Sequence, residues 1–336
     1  MNRAFVPVCF CVFLISSPHT VSAQDSEAVG SRAQGMGGAF TAVADDSTAT
    51  WWNPAGLAAG AFFNLILETS SVHQPADSDR VPAWRGTSRG FSIAYPALGL
   101  SYYRLRVSET RPAGSTDADA GGRQHTGAEI VRLRTVVVNQ FGATVGQSLG
   151  QHLVLASTVK LVRAGAGTDV RTRGTASLDS AEELEASVET HTGLDVGAMA
   201  RFSAVSLGLT VRNATEPTFG EGDAAFALTR RFRAGIALSS RGTGGMITVD
   251  ADFDLTRIER TFGAERRAAV GVELWTASRR IGLRGGVSGN TVGTLRPAPS
   301  GGASVALRPG IYVDAHVTGG TDEAGRGWGS ALRVTF

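Results

Sequence analysis

Three features of the sequence predict an all-β fold, a fourteen-stranded antiparallel transmembrane β-barrel, to which the segment ahead of it adds a short, partly helical N-terminal hatch in the lumen. Short apolar rows alternate with polar residues from residue 61 to the C-terminus, the period that places one row on one face of a sheet. The connections between these rows alternate between long and short, as spanning hairpins require. After residue 23 no apolar run approaches the length of a membrane-crossing helix.

In chain order, residues 1–23 read as an export signal. Arg3 supplies the positive start, Ala4 to Ile15 the apolar core, and Val21-Ser22-Ala23 a small-residue cleavage site ahead of Gln24. The competing reading, an uncleaved anchor, has too short a core to span a bilayer. Both cysteines, Cys9 and Cys11, fall inside this segment, so the mature chain is expected to hold no disulfide and no thiolate metal site. The 32 basic residues nearly balance the 30 acidic ones, which leaves no basic footprint for nucleic acid. The 43 glycines fit turns and sheet better than helix packing.

Within the expected hatch, residues 24–60, the stretch 30–60 does not alternate and carries few large apolar groups. The segment is too poor in apolar groups to be a domain alone, but its small residues allow close approach to the inner wall of a barrel. Ser31 to Ala44 reads as a short helix, Ser47 as the cap of a second turn, and Pro54 as its stop. Asp45 and Asp46 are expected either to pair with inward arginines such as Arg231, Arg233 or Arg284, or to sit in a solvated turn.

Residues 61–336 form the barrel in this reading, with strands near 61–70, 89–95, 98–107, 129–145, 152–163, 188–202, 205–212, 225–238, 245–256, 266–277, 280–288, 301–308, 310–318 and 327–336. The clearest row is Ile247, Val249, Ala251, Phe253 and Leu255, with Thr248, Asp250, Asp252 and Asp254 between them. The last strand sets Trp328, Leu332, Val334 and Phe336 against Arg333 and Thr335. An even strand count leaves both mature ends on the periplasmic side of an outer membrane. A soluble β-sandwich is the alternative that alternation alone leaves open.

Other motifs point away from chemistry. Gly146-Gln147-Ser148-Leu149-Gly150 matches the form of a nucleophile elbow, but the residues after it read as a strand where the elbow needs a helix. The histidines are scattered without metal-ligand spacing. Gly165 and Gly167 read as a loop tip. The acidic run Asp179 to Glu185 falls in the longest outer loop, where it either binds cations or is solvated. No catalytic residue, metal site or cofactor is expected.

The stretch GMGGAFTAVADD at residues 35–46, followed by WWNPAGLA at 51–58, resembles the N-terminal signature of the FadL-type outer-membrane transport proteins, in wording closest to their PorV/PorQ-like branch. The resemblance implies a fourteen-stranded barrel plugged by its N-terminal hatch. It implies passage of hydrophobic compounds, fatty-acid-like or aromatic. Phe40, Trp51, Trp52, Asn53, Pro54 and Ala55 are the hatch residues expected at the ligand, with packing against the wall as their alternative role. Two other functions stay open: an accessory barrel that binds exported proteins for a secretion system and, remotely, a lipid hydrolase using Ser148. The terminal Phe336 resembles the end that barrel-assembly machinery reads. The remaining partners expected are outer-membrane lipid and the hydrophobic ligand.

Overall fold

The computed structural model describes residues 29–74, 82–112, 130–260, 263–320 and 325–336. The expected signal segment lies outside them. Fourteen strands close into one antiparallel barrel. They are β1 (Asn64–Gln74), β2 (Ala83–Tyr95), β3 (Leu98–Pro112), β4 (Ile130–Leu149), β5 (Leu153–Thr172), β6 (Ser187–Phe202) and β7 (Val205–Arg212), then β8 (Arg231–Gly242), β9 (Gly245–Asp254), β10 (Arg267–Thr276), β11 (Ile281–Asn290), β12 (Ala298–Arg308), β13 (Ile311–Thr318) and β14 (Arg326–Thr335).

Closure runs through β1 and β14, paired from Asn64 opposite Thr335 to His73 opposite Arg326. The Phe63 and Phe336 backbones add a reciprocal pair at 3.1 and 3.0 Å beyond the last rung. No main strand is left with a free edge, the condition for a sheet to sit in lipid. Short turns gather at one end, called here the turn end, together with the start of β1 and the end of β14. The long connections gather at the loop end.

The alternation read from the sequence decides the two faces of the wall. Ile247, Val249, Phe253 and Leu255 are exposed on the outside, whereas Thr248, Asp250, Asp252 and Asp254 are buried inside. Trp328, Leu332 and Phe336 are likewise outside and Arg333 is buried. A wall apolar outside and polar inside is the inverse of a soluble sandwich, and lipid is the solvent that suits it.

Four details depart from the sequence reading. First, β4 and β5 stay paired as far as Ile130 opposite Thr172, so Gly165 and Gly167 lie in a strand and not at a loop tip. Second, the strand expected at 225–238 begins at Arg231, because Thr218–Phe219 and Phe226–Ala227 form a small hairpin of their own in the preceding connection. Third, the helix expected over Ser31 to Ala44 covers only Ser31–Gly35 (α1). Gly37 and Gly38 follow it at φ 71° and 81°, a left-handed turn that ends a helix. Fourth, the turn before α2 (Ala49–Trp52) is held by Asp46, whose Oδ1 accepts from the Thr48 N–H at 2.9 Å. Ser47 instead shares a hydrogen bond with Ser92 of the wall at 2.7 Å. Pro54 does end α2, and it opens the 3-10 helix Pro54–Ala59.

Ser148 sits near the end of β4 opposite Val154, inside a β-hairpin, so the sharp strand-to-helix turn of a nucleophile elbow is not formed. The first part of the acidic run folds as the short helix α3 (Leu178–Glu182) across the outside of β2 to β4. There Asp179 and Glu182 pair with Arg85 at 2.9 and 3.2 Å.

Residues 29–57 are almost wholly buried inside the barrel. α1 packs on β11 to β14 and the 3-10 helix on β2 to β6, so the segment crosses the lumen from wall to wall. It approaches the wall backbone-on-backbone at two pairs of facing glycines. Gly208 and Gly235, cross-strand partners on β7 and β8, lie beneath Thr41 and Ala42. Gly271 and Gly286, partners on β10 and β11, lie beneath Met36 and Gly37. A Cβ at Gly208, Gly271 or Gly286 would collide with hatch backbone, and one at Gly235 would collide with the Asp252 carboxylate and crowd the Ala42 nitrogen at 3.1 Å.

A Gly286→Val substitution is expected to loosen the hatch at a cost of about 1–3 kcal/mol, the range for overpacking a filled site. Faster tryptic cleavage at Arg32 in the folded barrel would register it. Gly285→Val, whose Cβ meets only the Val272 side chain at an ordinary 4.0 Å, should leave cleavage unchanged.

Candidate functional site

The hatch is seated by charge as well as by shape. From α1, the Arg32 guanidinium reaches Glu273 of β10 through two nitrogens, one of them at 2.7 Å. Its remaining nitrogen meets Asp45, and Asp46 at 3.3 Å. Glu273 also accepts from Arg284 of β11 at 2.7 Å. Arg284 lies 3.5 Å from Asp314 of β13, and Asp314 is paired with Arg333 of β14 at 2.8 Å. Three buried guanidiniums thus alternate with three buried carboxylates, from Asp46 in the hatch to the strand that closes the barrel. Each charge has opposite neighbours in place of the water it lost, without which burial would be prohibitive.

This corrects the pairing read from the sequence. Asp45 and Asp46 bind Arg32 of the hatch itself, while Arg231 and Arg233 pair with Asp254 at 3.0 and 2.6 Å and Arg284 with Glu273. The sequence offered no way to see Arg32 as the partner, since the three groups meet only after the chain reverses at Gly37 and Gly38.

Wall side chains also satisfy hatch backbone. Glu68 accepts from the N–H of Gly30 at 2.9 Å and Ser31 at 3.2 Å. Asp252 accepts from the N–H groups of Phe40 and Thr41, both at 2.9 Å. Asn64 accepts from Ser47 at 2.9 Å, and Arg267 donates to the Gly37 carbonyl at 2.9 Å. An irregular segment buried in a lumen needs such partners because no ladder serves its amides.

The six hatch residues singled out from the sequence divide between anchoring and lining. Asn53 donates to the Thr41 carbonyl at 2.9 Å and to the Ala198 carbonyl of β6 at 3.1 Å, and its Oδ1 accepts from the Ala55 N–H. Pro54 stands over Gly197 of β6, and Ala55 is buried behind it. Phe40 packs edge-on to Trp52, with ring centroids 6.4 Å apart. Trp52 donates to the Val29 carbonyl at 3.1 Å. These five hold the hatch together or to the wall. Trp51 is placed differently. Its ring meets Tyr103 of β3 edge-on at 5.5 Å, the Arg212 guanidinium lies 3.8 Å from its centre, and its buried indole N–H has no acceptor among the described residues.

Above Trp51, toward the loop end, the inward residues of β3 to β5 turn apolar. Tyr103, Leu105, Val136, Val138, Val162 and Ala164 line this compartment and belong to one buried cluster with the hatch. The connection 213–230 folds into it. Phe219 and Phe226 stack at 5.3 Å, both with Leu228 almost fully buried. His191 meets Phe219 edge-on at 4.9 Å, and Arg134 of β4 donates to the Ala225 carbonyl at 3.1 Å. The compartment therefore holds two aromatic rings of the protein's own loop. Its lining is apolar, and the guanidiniums of Arg134 and Arg212 stand at its margin. Sequence reading missed Phe219 and placed Phe226 in the strand expected at 225–238, whereas the two pair in the small hairpin of the connection before it.

No protein-family model and no curated protein matches the sequence. Solved structures do match its fold. The monoaromatic hydrocarbon channel CymD aligns with a TM-score of 0.62 at 12% identity, over 92% of this chain and 97% of that one. The toluene transporter TbuX of Ralstonia pickettii gives 0.59 at 12% identity, over 92% and 99%. A FadL homologue of Pseudomonas aeruginosa gives 0.56 at 11% identity, over 89% and 95%. At these identities the likeness shows the fold, a FadL-type closed barrel.

Glu273→Gln is expected to lower stability by about 3–5 kcal/mol, because it strands Arg32 and Arg284 without their shared anion. Thermal unfolding followed by circular dichroism would measure the loss. Adding Arg32→Met to that variant should recover part of it.

Proposed function

We propose that this chain is an outer-membrane barrel that admits small hydrophobic molecules, aromatic hydrocarbons among them, through the compartment above its hatch. In this reading residues 1–23 direct export, residues 24–60 are the hatch, residues 61–336 the barrel, and both mature ends face the periplasm. The loop end then faces outward.

One observation carries the proposal. The compartment above Trp51 is apolar on its wall, and a stacked pair of phenylalanines on a loop fills it. A site that packs its own aromatic rings is shaped for aromatic rings, and a ligand that displaces Phe219 and Phe226 gains the contacts they give up. The fold supports the same reading, since the hydrocarbon channel and toluene transporter described above share it. The lining is internal, where a small molecule reaches and an exported protein does not, and this favours passage over an accessory role in secretion. Trp51, with its free indole N–H at the floor, is the hatch residue placed to meet the ligand. Phe40, Trp52, Asn53, Pro54 and Ala55 act behind it by holding the hatch in position.

Cells that depend on this barrel should take up toluene or a similar hydrocarbon faster than cells lacking it. The Phe219→Ala/Phe226→Ala variant should raise initial uptake several-fold by emptying the compartment, and Trp51→Ala should change apparent affinity more than capacity. Uptake equal in the presence and absence of the protein, across a panel of hydrophobic compounds, would overturn the proposal.

A further inference from the structure

The outer face of β2 to β5 breaks the pattern of the rest of the wall. Cross-strand register sets Phe91, Tyr102, Phe141 and Leu161 side by side on four neighbouring strands, all on the outside. The next outward position toward the loop end, on the same strands, holds Arg89, Arg104, Asn139 and Arg163. Arg106 stands one outward position further along β3. On β9 the outward row stays apolar for five positions, from Ile247 to Leu255, whereas on β3 it yields to arginine after Leu98, Leu100 and Tyr102.

Arg89, Arg104 and Arg163 are exposed, and none makes an ion pair among the described residues. An arginine facing lipid without a partner is costly at mid-depth and tolerated near the headgroups, where its stem lies along the acyl layer and its guanidinium reaches phosphate. A cleft of about 770 Å³ opens at this place. Tyr102, Phe141 and Leu161 line its apolar side, Arg104 and Arg163 its basic side, and the segment after α3 its far rim. On that rim Arg85 engages Glu182, and Glu183 and Glu185 stand across the cleft from Arg104 and Arg163.

We infer that this face is a binding site for a phosphorylated lipid of the outer leaflet. The acyl chains lie on the Phe91–Leu161 row and the phosphates on Arg89, Arg104 and Arg163. Arginine is the side chain whose planar fork matches phosphate. The three guanidiniums span three inter-strand steps, about 14 Å at the usual spacing, so the headgroup that uses them all carries more than one phosphate. The inference rests on the membrane placement proposed above but not on what the lumen carries.

Native mass spectrometry of the detergent-solubilised full-length barrel, with bisphosphorylated lipid A as the probe, tests it. The parent should retain lipid A and discriminate against its dephosphorylated form. The Arg89→Gln/Arg104→Gln/Arg163→Gln variant should bind about tenfold more weakly or worse, the loss of roughly one charge-assisted contact. The matching Arg241→Gln/Arg280→Gln/Arg308→Gln variant, which removes the same charge at the turn end, should bind as the parent does. Heat-modifiable migration on gels verifies that each variant is folded, and hydrocarbon uptake by the first triple variant should be unchanged. Equal retention by both triple variants, equal retention of dephosphorylated lipid A, or full competition by inorganic phosphate would overturn the site. A parent that takes up hydrocarbon yet retains no lipid A overturns the site and leaves the passage reading standing. A parent that retains lipid A yet moves no hydrocarbon does the reverse.

Discussion

A barrel of fourteen strands is too wide for its own inward side chains to fill, and the polar face that alternation turns inward must find partners there. The Arg32–Glu273 pair is where this protein meets both demands. Glu273 lies on the wall between Arg284 and the hatch. Arg32 brings the hatch to it and carries Asp45 and Asp46 on its other side. Without Arg32, the wall's own chain from Glu273 through Arg284 and Asp314 to Arg333 would end at Glu273, facing an unfilled lumen. With it, the alternation of charges continues from the hatch to Arg333 on the closing strand, so hatch seating and barrel closure share one network.

Shape follows from the same requirement. The hatch presses its backbone against the wall at Gly208 and Gly235 and at Gly271 and Gly286, where the sheet has no side chain to interpose. Wall carboxylates and amides then reach hatch N–H groups that no ladder serves. The high glycine content, which the sequence assigns to turns and sheet in general, has this specific use at the four positions. The seat also frees Trp51 from anchoring, so that its ring faces the apolar compartment while its five neighbours hold the segment in place.

The outside of the barrel shows the complementary constraint. Lipid asks only for an apolar band, and most strands supply one. Arg89, Arg104 and Arg163 interrupt it on one arc, beside the cleft under α3. The inner compartment and this outer cleft lie on opposite faces of the same strands, β3 to β5. Their chemistries differ because successive residues point to opposite faces. Tyr103 and Leu105 look into the compartment, while Tyr102, Arg104 and Arg106 look toward lipid.

What the sequence determined by itself was periodic. Ile247 to Leu255 and Trp328 to Phe336 state which residues share a face, because a two-residue period leaves one arrangement, and closure of the barrel turned the apolar face outward. The alternation of long and short connections is equally local, and it sets the strand count and the antiparallel order. The Asn53-Pro54-Ala55 motif marks the hatch through a short contiguous stretch. What only the tertiary structure decided involves groups far apart in the chain. Arg32 finds Glu273 across 241 residues, Phe219 and Phe226 pair in a hairpin of their own where the sequence reads a loop followed by a strand, and the arginine row on β2, β3 and β5 exists only once register aligns the strands. Periodicity fixes which way a residue points, whereas closure of the barrel fixes what it meets there.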